Sequence, residues 1–250
     1  MALGKINGNE TNWMSFSDIM TGLMVIFMFI AISYIVEVQK RIDEINQIVN
    51  DYKSTKDKIY NELNRTFTDE FEEYNLVVNP DLSILITDVN ALFPVQFYDQ
   101  EVLLTNRFKN FLNNFTPLFY QIILKDEYRD AISEIRIEGH TAIQSPEKEY
   151  DNNYYQKMLI LSQKRSNRVL EYMMKHKYYN DLNSNKKRFL RFITTSNGLA
   201  FGKALDSDGN YKFLSNKSID RNKSMRVEFR IVTNNQKVID EWIQKVKKKR

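Results

Sequence analysis

The sequence contains no cysteine in 250 residues. That excludes disulfides, cysteine nucleophiles and zinc–thiolate sites. It leaves the compartment open, because a disulfide-free domain is viable on either side of a membrane. Histidine is nearly as scarce: His140 and His176 are the only two, so a histidine-based metal cluster is not expected. No nucleophile–base–acid set is apparent, and neither an enzyme nor a cofactor is expected. Charge of one sign is lacking too, since 36 basic against 32 acidic residues leave +4. The closing run Lys245-Val246-Lys247-Lys248-Lys249-Arg250 reads as a solvated charged end; contact with nucleic acid or an anionic surface is the other reading. With 42% hydrophobic and 27% charged residues, the composition is that of folded protein rather than of a disordered chain.

From Ile19 to Val36 there are 18 residues without a charge. Extended back to Trp13 the segment has 24 residues, a rise of about 36 Å as a helix, against a hydrocarbon core of about 30 Å. Residues 13–36 are therefore expected to span a bilayer, behind a short tail at 1–12. No small-residue cleavage site closes the run, so it does not read as a signal peptide. Trp13 and Tyr34 suit the two interfaces. Lys40 and Arg41 follow the span while Lys5 and Glu10 precede it, a thin positive-inside bias toward a cytoplasmic C-terminal side.

Asp18 stands inside this segment, in Trp13-Met14-Ser15-Phe16-Ser17-Asp18-Ile19-Met20-Thr21. An ionised carboxylate facing lipid is costly and usually faces a protein interior or an aqueous path. Away from water a carboxylate takes up a proton more readily, so Asp18 could carry one, with Ser17 and Thr21 supplying oxygens to it or to a sodium ion. The competing reading makes Asp18 a helix cap at the membrane edge.

Residues 37–75 read as a helical linker, with no Pro or Gly from 37 to 67. Val38, Ile42, Ile45, Val49, Tyr52, Lys56, Ile59 and Leu63 alternate spacings of four and three. That is the heptad signature of a coiled coil, interrupted at Lys56. Two chains could bury this stripe in a homodimer; one helix packed on its own domain is the alternative.

Residues 76–250 are expected to form an α+β sandwich, with helices on one face of a small mixed sheet. Residues 76–89 read as a strand pair turning at Asn79-Pro80-Asp81. A helix is expected over 101–123, broken or restarted at Pro117. Residues 132–138 alternate as a strand, with Ile135 and Ile137 on one face and Arg136 and Glu138 on the other. A polar loop then leads to a helix over 154–176. A strand is expected at 189–195, a loop-rich stretch at 198–222, a closing strand at 225–232 and a terminal helix at 235–250 with Val238, Trp242 and Val246 on one face.

The segment around Asp18, with a small residue before it and Met20 and Thr21 after, resembles the opening of the B subunits of ion-driven stator motors, the MotB type. The soluble half resembles the OmpA C-terminal peptidoglycan-binding domain. The matching pieces are Phe93 with Asp99 to Leu103, Glu138-Gly139-His140-Thr141, Leu161-Ser162-Gln163-Lys164-Arg165, and Arg226-Val227-Glu228-Phe229. The whole arrangement is similar to the stator-like B subunits of the Zorya anti-phage defence systems, with a flagellar-type stator as the alternative.

The resemblance implies an ion-driven inner-membrane subunit with its N-terminus in the cytoplasm and its C-terminal domain in the periplasm, against the thin charge bias. It implies Asp18, Ser17 and Thr21 as ion-carrying residues for protons or Na+. It also implies Arg165, Leu161, Ser162 and Thr141 at a peptidoglycan site. The implied partners are a second copy of the chain, a polytopic A-type subunit of the MotA or ZorA kind in five copies, peptidoglycan, and cytoplasmic defence effectors. A passive envelope tether, with Asp18 only a cap, is the remaining reading.

The family pattern is broken in places. Its binding-site aspartate falls at Ala142, and its asparagine falls at Met158. The stretch from Thr141 to Leu161 is longer than usual, and the closing Asn-Arg-Arg becomes Ser224-Met225-Arg226. Arg165 remains as a partner for a peptide carboxylate. Asp151, Asn152 and Asn153 are further candidates in the long loop, while His140 reads as a structural residue at a strand end.

Overall fold

The structure, a computed structural model, describes residues 9–67, 74–87, 92–93, 101–143 and 145–234. The chain forms two compact units, Met1–Asp51 with Trp242–Arg250 and Tyr52–Glu241. The terminal helix expected at 235–250 lies outside the described residues.

In the first unit the described residues belong to α1 (Asn9–Thr66). Nothing in its sequence stops it: ion pairs and hydrogen bonds one turn apart, Arg41 to Glu37 at 2.6 Å and Gln39 to Asp43 at 3.1 Å, support its polar portion. Among the described residues it is the one helix long and apolar enough to cross a membrane. Its large side chains from Phe16 to Val36, including Phe27, Phe29 and Ile30, are exposed. Apolar surface on this scale needs lipid or another protein around it.

The second unit is built on a five-stranded sheet of order β1-β2-β5-β3-β4. The strands are β1 (Leu76–Val78), β2 (Ser83–Ile86), β3 (Ile132–Gly139), β4 (Thr194–Gly198) and β5 (Val227–Thr233). β3 and β4 run parallel and the remaining pairs antiparallel. The helices are α2 (Asn106–Ile123), α3 (Asp126–Arg129), α4 (Asn152–Lys175), α5 (Lys177–Asp181), α6 (Ser184–Ile193) and α7 (Arg221–Ser224). This is the expected α+β layout.

Alternation along the strands sorts the two faces of the sheet. Ile84, Ile86, Ile135, Ile137, Val227, Phe229 and Ile231 are buried in the core. Glu134, Arg136, Glu138, Glu228 and Arg230 occupy the alternate positions. α2 supplies an aromatic spine to the core: Phe108, Phe111, Phe115 and Phe119 recur at helical spacing, and neighbouring rings stand 5.1–5.9 Å apart. Phe115 also meets Phe229 at 4.7 Å and Phe67 at 4.8 Å.

Four local expectations need correction. The helix expected at 101–123 begins at Asn106, because the Thr105 hydroxyl accepts from the Phe108 amide at 3.0 Å and caps it there. It continues through Pro117, held on both sides of that residue by Phe115 and Phe119 in the core. The strand expected at 189–195 begins only at Thr194. Leu190 and Ile193 are buried at a spacing of three, and the Asn183 side chain accepts from the Lys186 amide, so 184–193 is helix. The domain's core also reaches back before residue 76: Ile59, Leu63 and Phe67 are fully buried in it. That end of α1 is further tied by Tyr52 to Thr233 at 2.5 Å, Tyr128 to Glu62 at 2.9 Å, and Lys125 to Glu62 at 2.5 Å. The heptad stripe is thus divided. Its later members, Ile59 and Leu63, pack on their own domain, whereas Val38, Ile42 and Val49 are exposed.

Candidate functional site

In the membrane-capable helix, Ser17, Asp18 and Thr21 are all exposed. At about 100° per residue they share one side of the helix. The Thr21 hydroxyl donates to the Ser17 carbonyl at 2.8 Å, which uses its proton and leaves its lone pairs facing outward. Asp18 sits well inside α1, beyond the first turn whose free amides a cap would serve. The geometry therefore offers a carboxylate and hydroxyl oxygens to whatever packs on this side of the helix.

In the second unit, two glycines set the position of α4. A β-carbon at Gly139 would overlap the Ser162 carbonyl, and one at Gly198 would overlap the Gln163 backbone. Only with hydrogen at both places can α4 lie directly on the ends of β3 and β4. This brings Gly139-His140-Thr141 against Leu161-Ser162. Ala200 links them. The Thr141 amide donates to the Ala200 carbonyl at 2.8 Å, and the Ala200 amide donates to the Ser162 hydroxyl at 3.0 Å. Ala200 adopts φ +46°, the left-handed region that costs a residue with a side chain about 1–2 kcal/mol; the two bonds hold it there.

The four residues assigned to wall binding therefore differ in kind. Leu161 is a core residue. Ser162 is fully buried, and its hydroxyl is consumed by Ala200 and by the Leu159 carbonyl. Thr141 is buried, with no hydrogen-bond partner for its hydroxyl among the described residues. Arg165 is 8% exposed. Its guanidinium lies 5.1 Å from the ring centre of Phe93, and among the described residues its Nε finds no hydrogen-bond partner. Burial pushes its pKa down to about 10. A buried guanidinium lacking an acceptor is a costly arrangement, and a carboxylate or phosphate brought to it would relieve the cost. Ala142 and Met158, standing where the family has polar residues, are both buried. Asp151 caps α4, accepting from the Tyr154 amide at 3.0 Å, and Asn152 and Asn153 form the first turn behind it.

The sequence reading missed a buried ionic cluster on the other face of the sheet. His140 stands 3.6 Å from Glu138 and 3.5 Å from Glu228, and all three are at most 2% exposed. Arg226 pairs with Glu228 at 3.2 Å, Lys203 approaches Glu138 at 3.8 Å, and Arg230 joins Glu228, Glu138 and Asp81. Burial lowers the pKa of His140, only partly offset by the Glu138 carboxylate facing it. Burial raises that of Glu138, but His140, Lys203 and Arg230 together hold it below the ordinary value. The alternating charges of Glu134-Ile135-Arg136-Ile137-Glu138 and Arg226-Val227-Glu228-Phe229-Arg230 were the available signal. Glu138, His140 and Glu228 have metal-type donor atoms within 4.8 Å of one another. However, Asp81, Glu138 and Glu228 are already balanced by Lys203, Arg226 and Arg230. A divalent ion would add two uncompensated charges to a buried site, so the donor set does not fit one. A cleft of about 450 Å³ at this cluster, lined by Asp81, Asp206, Tyr211, Lys217 and Arg230 among others, includes none of the residues assigned to ion carriage or wall binding.

A carboxylate-bearing helix able to cross a bilayer, followed by a separate α+β unit, defines a membrane-tethered protein with a folded extramembrane domain. No family model matches the chain. Along nearly its whole length it is similar to the Zorya protein ZorB of Escherichia coli, with 29% identity over 249 residues covering 97% of this chain and 96% of that protein. Among solved structures it is similar to a putative MotB-like protein from Desulfovibrio vulgaris, with 18% identity, a TM-score of 0.46 and coverage of 74% of this chain and 98% of that one. It is also similar to the cell wall anchor of the T6SS from Pseudomonas aeruginosa, with 15% identity, a TM-score of 0.41 and coverage of 69% and 97%.

Proposed function

We propose that this chain is the B-type stator subunit of an ion-driven inner-membrane motor acting in anti-phage defence. The observation that carries the reading is the full-length similarity to ZorB, which takes in both the Asp18-bearing helix and the domain behind it. Asp18 takes up and releases a proton, or binds Na+ with help from Ser17 and Thr21. One helix cannot enclose an ion path, so a polytopic A-type subunit supplies the rest. Five copies of that subunit around two of this chain would be the family's arrangement. Loading one proton removes one charge and biases the helix between two packings against its partner. Each proton crossing supplies about 2.3 kcal/mol per 100 mV of membrane potential, so the work is done in small repeated steps.

In this reading the N-terminus is cytoplasmic and the domain periplasmic. The domain holds peptidoglycan through Arg165, whose guanidinium has no acceptor among the described residues and suits a stem-peptide carboxylate, with Thr141 as a second polar contact. The wall gives the motor something fixed to work against, and its motion signals to cytoplasmic effectors.

The test is phage challenge of cells carrying the complete operon. Asp18→Asn, at membrane levels equal to wild type, is expected to abolish protection. Full protection by the Asn variant would exclude ion transfer at this residue and leave the passive tether.

A further inference from the structure

α6 presents an unusual surface. Its buried side is Leu190 and Ile193. At about 100° per residue the opposite side carries Ser184, Arg188, Arg191 and Phe192, with the half-buried Lys187 on the flank nearer Leu190. Phe192 is 83% exposed and lies one turn from Arg188. Several cations elsewhere in this unit have carboxylate partners: Lys125, Arg136, Lys148, Arg168, Lys175, Lys203, Lys217, Arg226 and Arg230 are ion-paired. α5 and α6 gather five cations in a short stretch. Among the described residues, Lys177, Lys186, Lys187, Arg188 and Arg191 have no ion pair. The contacts that Lys187 and Arg191 do make are to neutral oxygens, the Asn180 carbonyl at 2.7 Å and the Tyr179 hydroxyl at 3.1 Å. Asp181 is the only acidic residue between Lys175 and Ile193.

We infer that the outer face of α6 is a docking surface for an anionic lipid bilayer. Arg188 and Arg191 would meet headgroup phosphates, and Phe192 would enter the headgroup–acyl boundary. Two observations select this occupant. The unneutralised cations call for a dense array of anions. The exposed ring calls for an apolar phase behind those anions, which a soluble polyanion does not offer. The helix is short, so the contact is weak and reversible and adds to whatever else holds the domain.

The absence of cysteine allows a direct test. The full chain carrying Asn185→Cys, on the same side of α6 as Phe192, is placed in nanodiscs of phosphatidylcholine and labelled with an environment-sensitive fluorophore. Vesicles with brominated acyl chains are then added, either of phosphatidylcholine alone or with about a third phosphatidylglycerol. The expected result is a blue shift and bromine quenching with the anionic vesicles only, weakened by salt. Arg188→Glu with Arg191→Glu should lower the vesicle partition coefficient roughly thirtyfold or more, each basic residue near such a surface being worth about a fivefold factor. Phe192→Ser should reduce the quenching while leaving part of the salt-sensitive binding. Both variants change exposed positions, and unaltered circular dichroism would show that the fold is kept. Equal response to both vesicle types, or none to either, would overturn the inference. So would a shift produced by soluble polyphosphate as large as that produced by the vesicles, which would make the surface a polyanion site.

Discussion

Arg165 and His140 are both buried polar residues, but their situations differ in a way that experiment can separate. Arg165 has no acceptor among the described residues, so removing its charge should not harm the fold. Arg165→Met is expected to leave the domain as stable as wild type or more stable by about 1–3 kcal/mol. The same variant should lose tenfold or more in binding to purified sacculi, read by co-sedimentation. Unchanged sacculus binding would remove Arg165 from the site. His140 is held neutral by burial among Glu138, Glu228, Arg226 and Lys203. Its folded pKa lies below its unfolded value, so below about pH 6.5 the unfolded chain takes a proton that the folded one refuses, and stability falls as pH falls. The slope from this residue is at most about 1.4 kcal/mol per pH unit. Thermal melts of wild type should decline from pH 6.5 to 5, and His140→Gln should flatten the decline. Glu138, lowered in its turn, contributes its loss separately, below about pH 4.5.

The elements were legible in the sequence wherever one face alone had to be buried. Ile135 and Ile137 against Arg136 and Glu138 gave β3 both its extent and its facing, and the Asn79-Pro80-Asp81 turn gave the β1–β2 hairpin. The misplaced strand at 189–195 failed for a physical reason. A basic helix with only Leu190 and Ile193 buried shows too few apolar residues to declare its period. Close approach of backbones was invisible as well, because Gly139 and Gly198 look like loop residues until α4 is laid across them. That contact should be intolerant: Gly139→Ala is expected to destabilise the domain by about 1–3 kcal/mol through overpacking. A melting temperature within a degree of wild type would show that α4 moves aside. At the candidate site, Arg165 was identified by resemblance, but Phe93 beneath it is distant in sequence, and no local pattern connects the two.

For the whole molecule, the divided heptad stripe changes what dimerisation would involve. Val38, Ile42 and Val49 remain exposed, whereas Ile59 and Leu63 are occupied within their own chain. If two copies associate through α1, single cysteines at Ile42 or Val49 should crosslink in membranes, and those at Ile59 or Leu63 should not. Crosslinking at neither of the first two positions would count against a parallel pair.

The same division has a consequence for dissection of the protein. A soluble fragment cut at residue 76, where the first strand begins, would discard three fully buried side chains, Ile59, Leu63 and Phe67. At about 1.5–3 kcal/mol apiece, their loss is comparable with the whole stability of a typical domain, about 5–15 kcal/mol. Such a fragment should aggregate or bind hydrophobic dye, whereas one starting at Tyr52 should give a single cooperative melt. The tether is thus a structural part of its own cargo: shortening it from the domain side unfolds what it carries.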